Sequence, residues 1–600
     1  MKRKGFVALL LAALMLLGAV GCAVEPTPTA ATPAPTAAEE QGTFVPGTYT
    51  GKGKGMNGDV VVSVTFDKDA ITAIEVTEHA ETEGISDPAI ANLPAAILAS
   101  QSTQVDVISG ATMTSNGIIA AVNDAIVQAG ADPAALAPKA AETSGEATEL
   151  TADVVVAGGG LAGLSAAVKA AEDGASVILV EKMAMLGGSS ALSGGGLGAT
   201  DTTVQKEAGI ADTDAAWKQL WEERQATSPE QSMYPDWNLV DQFIAKSSDT
   251  IDWLLSLGYK FRKPEGFGVD PVERLHFPAP EGNGSVLTGF LGAKAEELGV
   301  QILLETAAKE LIVENGAVVG LKAESKDGPV TLHTKSVVLA TGGFGRSEEL
   351  TERFAPEVAD YVQYSVSGAG NTGDGIVMAE AVGAALYEDP WMIGLGLATP
   401  VQEMASFYWY GTYMFVNQDG ERFTNEADHY AIVYNNAAYK SPGGSYMLFD
   451  SSEAFAPFIA AADPKVDNAI VFKADSIEAL ASAIGVDAAK LTATVESYNA
   501  VSEGVEDSLG KASAMCLPLK TGPFYTVKYF PCNMGTFGGV KTNEAMEVLT
   551  ADGTAIKGLY AAGEMTNRPY YSQVYMSGSA LQVAASTGIT AGTSAAAAAK

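Results

Sequence analysis

The sequence predicts an α/β chain of several domains, and three observations carry that prediction. At roughly 150 residues per domain, 600 residues give room for about three or four domains. Hydrophobic residues make up 47% of the chain and charged residues 18%, which supplies several cores and excludes a mostly disordered protein. The 64 glycines follow no triplet period and fall in clusters, one of which, Gly158-x-Gly160-x-x-Gly163, separates a strand-like apolar run from a helix-like one. Charge narrows the partners: 36 Lys and Arg against 72 Asp and Glu leave a net −36, which repels phosphate backbones and excludes nucleic-acid binding. Cys22, Cys516 and Cys532 are too few for a disulfide framework. With four histidines and neither a C-x-x-C-H nor an H-E-x-x-H sequence, no metal or c-type haem site is expected.

Residues 1–22 have the layout of a signal peptide. Lys2, Arg3 and Lys4 precede an apolar run from Phe6 to Val20 that is too short for a comfortable membrane span. The run ends Ala19-Val20-Gly21-Cys22, which resembles a bacterial lipoprotein signal, although leucine is more usual where Ala19 stands. The resemblance implies that Cys22 is lipidated and holds the protein on the extracytoplasmic face of the cell membrane. The alternative is ordinary secretion with Cys22 inert. Residues 23–42, rich in Pro, Thr and Ala, read as a disordered tether.

Residues 43–129 predict a small α+β domain. Segments 47–53, 60–66 and 71–76 alternate apolar and polar residues between Gly, Asn and Asp turns, as strands do, and 88–98 and 116–128 read as helices. Between the helices lies Asp106-Val-Ile-Ser109-Gly110-Ala111-Thr112-Met-Thr-Ser115. On its residues alone this is a small-residue turn with Ser115 as helix N-cap. It also resembles the flavinylation motif of small FMN-binding domains in sodium-pumping quinone reductases and extracellular reductases. That resemblance implies FMN joined covalently through its phosphate to Thr112, with Ser109, Gly110 and Ala111 around it, and a separate flavin transferase for maturation. The chemistry agrees: small residues admit a phosphate, and a helix N-terminus stabilises its charge. Residues 130–150, with Pro133 and Pro138, read as a linker.

The second module opens with the glycine fingerprint. A buried strand at 154–157 precedes Gly158, Gly160 and Gly163, a helix at 164–172 follows, and a second strand at 177–180 ends at Glu181, about 20 residues after Gly160. The glycines permit a tight turn, close approach of a pyrophosphate, and helix–strand packing, while Glu181 is placed to accept ribose hydroxyls. A second Gly/Ser loop holds Gly188, Ser189, Ser190, Ser193, Gly194 and Gly195. A long helical stretch ends near Phe261, 288–298 reads as a helix, and 300–304 and 318–322 read as strands. Then come Ala340-Thr341-Gly342-Gly343, Asn371-Thr-Gly-Asp374-Gly375 and, far downstream, Ala562-Gly563-Glu564.

Together these motifs resemble the FAD-dependent fumarate reductase/succinate dehydrogenase flavoproteins over about 150–600. In layout they are nearest the soluble fumarate and urocanate reductases, with 3-ketosteroid dehydrogenases as relatives. A NAD(P)-binding domain does not account for the distant motifs. The resemblance implies a Rossmann-like FAD-binding domain in two parts, 151–386 and 532–600, with an inserted α+β cap domain, 387–531, that closes over the flavin and excludes water. It further implies a non-covalent FAD, with Leu161, Ala162, Lys182 and Asp374 joining the residues already named around it, Glu564 at the ribityl chain, and Ser579, Ala580 and Leu581 at the isoalloxazine end.

The catalytic positions depart from fumarate reductase. Gly420-Glu-Arg422-Phe-Thr-Asn-Glu426 matches a family loop, and the proton-donating arginine that follows is replaced by Tyr430. Gly535 stands where the substrate histidine falls, and Tyr575 near a carboxylate-clamping arginine. A phenol does not replace a bidentate cation, so fumarate is not expected to be a good substrate. The tyrosines resemble the ketosteroid dehydrogenase branch instead, which implies that Tyr430 exchanges the α-carbon proton while Tyr575 and the Ser579 backbone N–H polarise a carbonyl. The alternative is that these aromatics only line an apolar pocket. Tyr408, Trp409, Tyr410, Tyr570 and Tyr571 are candidate walls, and Arg422 and Arg568 candidates for carboxylate binding or proton donation. The expectation is an anchored CH–CH oxidoreductase of anaerobic respiration. A quinol- or flavin-linked membrane donor would feed electrons through FMN and FAD to the C=C bond of an α,β-unsaturated carbonyl or carboxylate. Two alternatives stand beside it, a flavin electron-transfer relay lipoprotein and a ketosteroid-type dehydrogenase running the reverse reaction.

Overall fold

The computed structural model describes residues 43–81, 86–105, 107, 111–136, 147–228, 232–267 and 270–600. The expected signal peptide with Cys22, the expected tether, Ser109, Gly110 and part of the expected linker lie outside these residues. Among the described residues no helix is long and apolar enough to cross a membrane.

Strands Gly47–Lys54, Asp59–Phe66 and Ile71–Glu78 form an antiparallel sheet in sequence order. Val60, Val62, Val64 and Phe66 point inward onto helices Asp87–Ser100 and Thr112–Gln128, whose Leu93, Ile97, Ile118, Val122 and Ala125 complete the core. The second helix rests directly on the first strand. A Cβ at Gly53 would meet Ala121 N at 2.7 Å, so only glycine fits there. That helix begins at Thr112, earlier than expected, and Ser115 is not its cap. Ser115 is fully buried inside the first turn and its amide donates to Ala111 O at 2.8 Å. Ala111 occupies the N-cap and makes no side-chain capping bond.

The FAD-binding half is built on a six-stranded sheet in the order Gln301–Leu303, Val177–Val180, Val154–Ala157, Ser336–Leu339, Ala555–Ala561, Glu547–Leu549. Its first five strands are parallel and only the last edge pairs antiparallel. Val154–Ala157, Val177–Val180 and Ser336–Leu339 are buried along their whole length, as strands covered on both faces are. Helices Leu161–Glu172 and Ser579–Ala599 cover one face, where Gly588 and Gly592 let the C-terminal helix approach the Ala162 and Ala166 carbonyls. A four-stranded sheet of Thr306–Glu314, Ala317–Ser325, Gly328–His333 and Thr148–Thr151 covers the other face, with Val318, Leu321 and Leu332 packed against Val155 and Val337.

The cap sheet contains Trp391–Ala398, Phe524–Phe537, Ser445–Phe449 and Met414–Val416, with Val471–Ala474 also paired to Phe524–Phe537. That 14-residue strand runs from the cap to Thr536, whose hydroxyl and amide reach Glu564 in the FAD half.

Candidate active site

A cavity of about 430 Å³ lies where the sheet, the second Gly/Ser loop, the C-terminal helix and the cap meet. Every residue expected to touch FAD lines it except Gly163, Gly343 and Ser579. Gly163 instead packs its backbone on the Gly158 carbonyl, and Gly343 on Thr536 and Glu564, so both shape the walls from behind.

The walls suit a long cofactor with anionic and hydroxyl groups. Gly158 has φ +109°, a left-handed turn that favours glycine. A Cβ on Gly160 would find nothing nearer than Gly187 O at 3.9 Å, so the fingerprint turn is open just where helix Leu161–Glu172 presents its amides. Glu181 accepts from Gly159 N at 2.7 Å and Met183 N at 2.8 Å. Burial raises its pKa, with those bonds opposing. Lys182 Nζ is paired with Asp374 at 2.7 Å. Glu564 is fastened by Asn371 Nδ2 at 3.0 Å and Thr536 N at 2.7 Å, and burial again raises its pKa. Asn371 Oδ1 is buried without a protein partner, an acceptor facing the place a ligand hydroxyl would take. Asn371 and Thr536 are the contacts sequence reasoning missed. The Asn-Thr-Gly-Asp-Gly motif was the signal for the first, whereas the second is visible only after folding. The residues fit FAD.

At the far end of the cavity stand two phenols. Tyr430 opens helix Tyr430–Lys440 of the cap, and Tyr575 comes from the loop before the C-terminal helix; their ring centroids are 6.5 Å apart. Leu275, Phe277, Ile393, Leu395 and Met534 give this end an apolar lining that no sequence motif announced. Met534, not Gly535, lines the cavity, while a Cβ at Gly535 would approach Glu564 to 3.0 Å.

Several expected roles are redistributed. The Ser579 amide donates to Met576 O at 3.1 Å and its hydroxyl bonds Tyr571 Oη at 2.6 Å, so Ser579 does not reach the cavity. The amide that reaches Tyr575 Oη is that of Ala580, at 3.4 Å. Tyr408, Trp409 and Tyr410 line a neighbouring cavity, whereas Tyr570 and Tyr571 are core side chains, Tyr571 stacked on Phe537. Arg568 is fully buried and spends its donors on the Asp389, Ser572 and Tyr571 carbonyls and Ser232 Oγ, which leaves no fork for a substrate carboxylate.

Arg422 lines neither cavity. Its guanidinium bonds Glu426 at 2.8 Å and Asp507 at 2.8 Å and lies over the Tyr498 ring. Removing it leaves two buried carboxylates with Lys511, 3.1 Å from Glu426, as the remaining cation. Arg422→Ala is expected to destabilise the cap by about 3–5 kcal/mol, the cost of breaking a buried pair, with turnover per folded molecule little changed. Urea unfolding followed alongside activity per bound FAD checks this, and an unchanged midpoint with lost activity would return Arg422 to the chemistry.

For the FMN-binding motif, Thr112 is the first residue of its helix and Ala111 is buried at the N-cap. Next to it Thr114 donates to Glu81 at 2.5 Å, and Glu81 also accepts from Asn57 N at 2.8 Å.

Comparison with known proteins agrees with this geometry. Residues 153–580, more than two thirds of the chain, match the family described as FAD binding domain, and residues 55–127 match the FMN-binding domain. The NADH:acrylate oxidoreductase of Vibrio harveyi is 31% identical over 87% of this chain, which spans only 58% of that protein's length. The urocanate reductase of Eggerthella lenta is 30% identical, with 86% of this chain and 87% of that protein covered. Among solved structures, the 3-ketosteroid-Δ4-(5α)-dehydrogenase of Rhodococcus jostii RHA1 in complex with 4-androstene-3,17-dione is 26% identical, with TM-score 0.59 over 76% of this chain and 99% of that one. The chain belongs to the FAD-binding oxidoreductase family of the fumarate and urocanate reductases, and carries an FMN-binding domain ahead of its FAD-binding domain.

Proposed function

We propose that this protein reduces the C=C bond of an α,β-unsaturated carbonyl or carboxylate, with electrons passing from FMN to FAD to the substrate. The observation that carries the reading is the pair of buried phenols, Tyr430 and Tyr575, on the wall of the FAD cavity. When bound, FAD supplies the hydride for such a reduction. The protein's own residues then have two tasks, to hold the substrate oxygen as it gains charge and to give a proton to the α-carbon. Tyr575 suits the first. Ala580 N–H donates to its oxygen at 3.4 Å, and the N-terminus of the 21-residue helix Ser579–Ala599 favours negative charge beside it. Tyr430 suits the second: burial, and then the neighbouring Tyr575, raise its pKa above 10, so it is protonated at neutral pH and serves as an acid. A base would need the phenolate, which favours reduction over dehydrogenation.

Neither Arg422 nor Arg568 faces the cavity, so an acceptor with two carboxylates lacks the clamps it needs. Fumarate is expected to be reduced more slowly than cinnamate, acrylate, urocanate or cyclohexenone, by at least about tenfold, since leaving a carboxylate unpaired in a dry pocket costs a few kcal/mol. Oxidation of reduced viologen by the holoenzyme across that panel decides it. Fastest turnover with fumarate would overturn the substrate assignment, and no turnover with any member would leave the electron-relay reading in its place.

The location follows from the first residues of the sequence: an extracytoplasmic protein anchored through a lipid on Cys22, with a membrane quinol- or flavin-linked donor. Cys22→Ser is expected to move the protein from the membrane to the soluble fraction of its host. Unchanged membrane recovery would argue for ordinary secretion and another attachment.

A further inference from the structure

The loop 55–58 of the N-terminal domain is seated on Glu81. The Met56 and Asn57 amides donate to its carboxylate at 3.1 and 2.8 Å, and a Cβ at Gly55 would come within 2.6 Å of Glu81 Oε1. The same carboxylate accepts from Thr114, two residues after Thr112, so the loop and the start of helix Thr112–Gln128 form one face. Two methionines stand out from it. Met56 is 58% exposed, and Met113, beside Thr112, is exposed as well. Methionine adapts its shape and contacts aromatic rings favourably, which suits a surface that docks and releases.

The cap meets that face. Gln402 Nε2 donates to Met56 Sδ at 3.8 Å. Gln402 opens the 3-10 segment Gln402–Tyr410, which is fixed from beneath: Met404 is buried, its carbonyl accepts from Tyr529 Oη at 2.7 Å, and the Tyr408 carbonyl accepts from the Tyr413 hydroxyl. The segment ends in Trp409, 57% exposed, and Tyr410, which is exposed too. One exposed aromatic is ordinary, but two neighbours on a segment that touches another domain mark a contact surface. They also lead inward. The Trp409 ring lies 6.0 Å from that of Tyr430, and Tyr430 lines the FAD cavity.

The connection between the domains, residues 137–147, reaches at most about 40 Å. A tether that short holds one domain beside the other at an effective concentration on the order of millimolar. A small, weak contact is then enough to dock them.

We propose that the N-terminal domain docks its Met56 and Met113 face on the Gln402–Tyr410 segment of the cap of the same chain. Docked there, the face that carries Thr112 is turned toward the side of the cap behind which Tyr430 and the FAD cavity lie. Transfer between two flavins falls steeply with distance, so this placement favours it. The docking rests on residues of both domains and not on which alkene is reduced.

The test uses the full chain loaded with FMN and FAD and carrying Cys22→Ser, so that the buried Cys516 and Cys532 are the native thiols left. Met56→Cys and Gln402→Cys are added, and the protein is treated at high dilution with a short bismaleimide. Mass spectrometry of the joined peptides should show the chain linked to itself. The yield should be at least about tenfold that of a control pair, Met56→Cys with Val313→Cys, whose second residue is exposed on the four-stranded sheet. Adding Trp409→Glu to the first pair should cut its yield several-fold, because a carboxylate resists the desolvation that docking demands, whereas Trp409→Phe should keep it. Released FAD, measured for each variant, confirms that the cap is folded. Equal yields in the two pairs overturn the docking, and so does a yield untouched by Trp409→Glu. Links between two chains in place of links within one give the surface to a second copy and overturn it as well. Chains that link but reduce no alkene would refute the proposed function and leave the docking standing.

Discussion

Replacing Tyr430 by phenylalanine is expected to lower substrate reduction by ~10²–10⁴-fold, the contribution of a positioned acid. The change removes one hydroxyl and keeps the ring, so the packing on His429 and Trp409 survives and the folding cost is limited to the bond to Ser577, about 1 kcal/mol. FAD content and substrate affinity should match the wild type. The measurement is reoxidation of the viologen-reduced enzyme beside a titration of the flavin spectrum with substrate. Loss of rate together with loss of FAD would point to a structural role, and a nearly full rate would place the proton donor elsewhere.

Replacing Thr112 by alanine is expected to remove covalent FMN entirely while leaving FAD in place. The hydroxyl belongs to the first residue of a helix whose N-cap, Ala111, makes no side-chain bond to the first-turn amides, a setting that favours a phosphodiester anion. Among the described residues, none of this domain lines the FAD cavity. With a flavin transferase coexpressed, the denatured wild-type chain should retain the mass of FMN and release FAD, and the variant should retain neither. Dye-driven reduction through FAD should persist in the variant. FMN mass still present on the alanine chain would move the linkage to another residue.

Where the sequence spoke clearly, it did so through positions whose demands are local. Gly158 must turn left-handed, Gly163 must lie against a carbonyl, and strand 154–157 must be apolar on both faces. Each leaves its mark within a few residues. The same holds for the motif that places Asn371 and for Glu564, although only the fold brings them to 3.0 Å. What remained hidden depends on partners far away in the chain. Arg422 appears free beside a catalytic loop until Asp507 meets it, and Arg568 until the Asp389 carbonyl does. The shift from Ser579 to Ala580 turns on a single bond to Met576, below the resolution of any spacing argument. Strand Thr306–Glu314 escaped notice because it mixes buried and exposed positions without a strict alternation, whereas Gly328–His333 alternates but is short and opens on Gly-Pro, which reads as a turn.

The sheet that holds FAD is assembled from distant stretches, with Ser336–Leu339 flanked by Val154–Ala157 and Ala555–Ala561 and helix Ser579–Ala599 laid over it. The fingerprint strand therefore stays without its full surroundings until nearly the whole chain is present. The small N-terminal domain differs, because among the described residues its core draws on residues 44–136. Assembly is therefore unequal: the small domain's core can close while the FAD cavity still lacks the walls that the C-terminal residues supply.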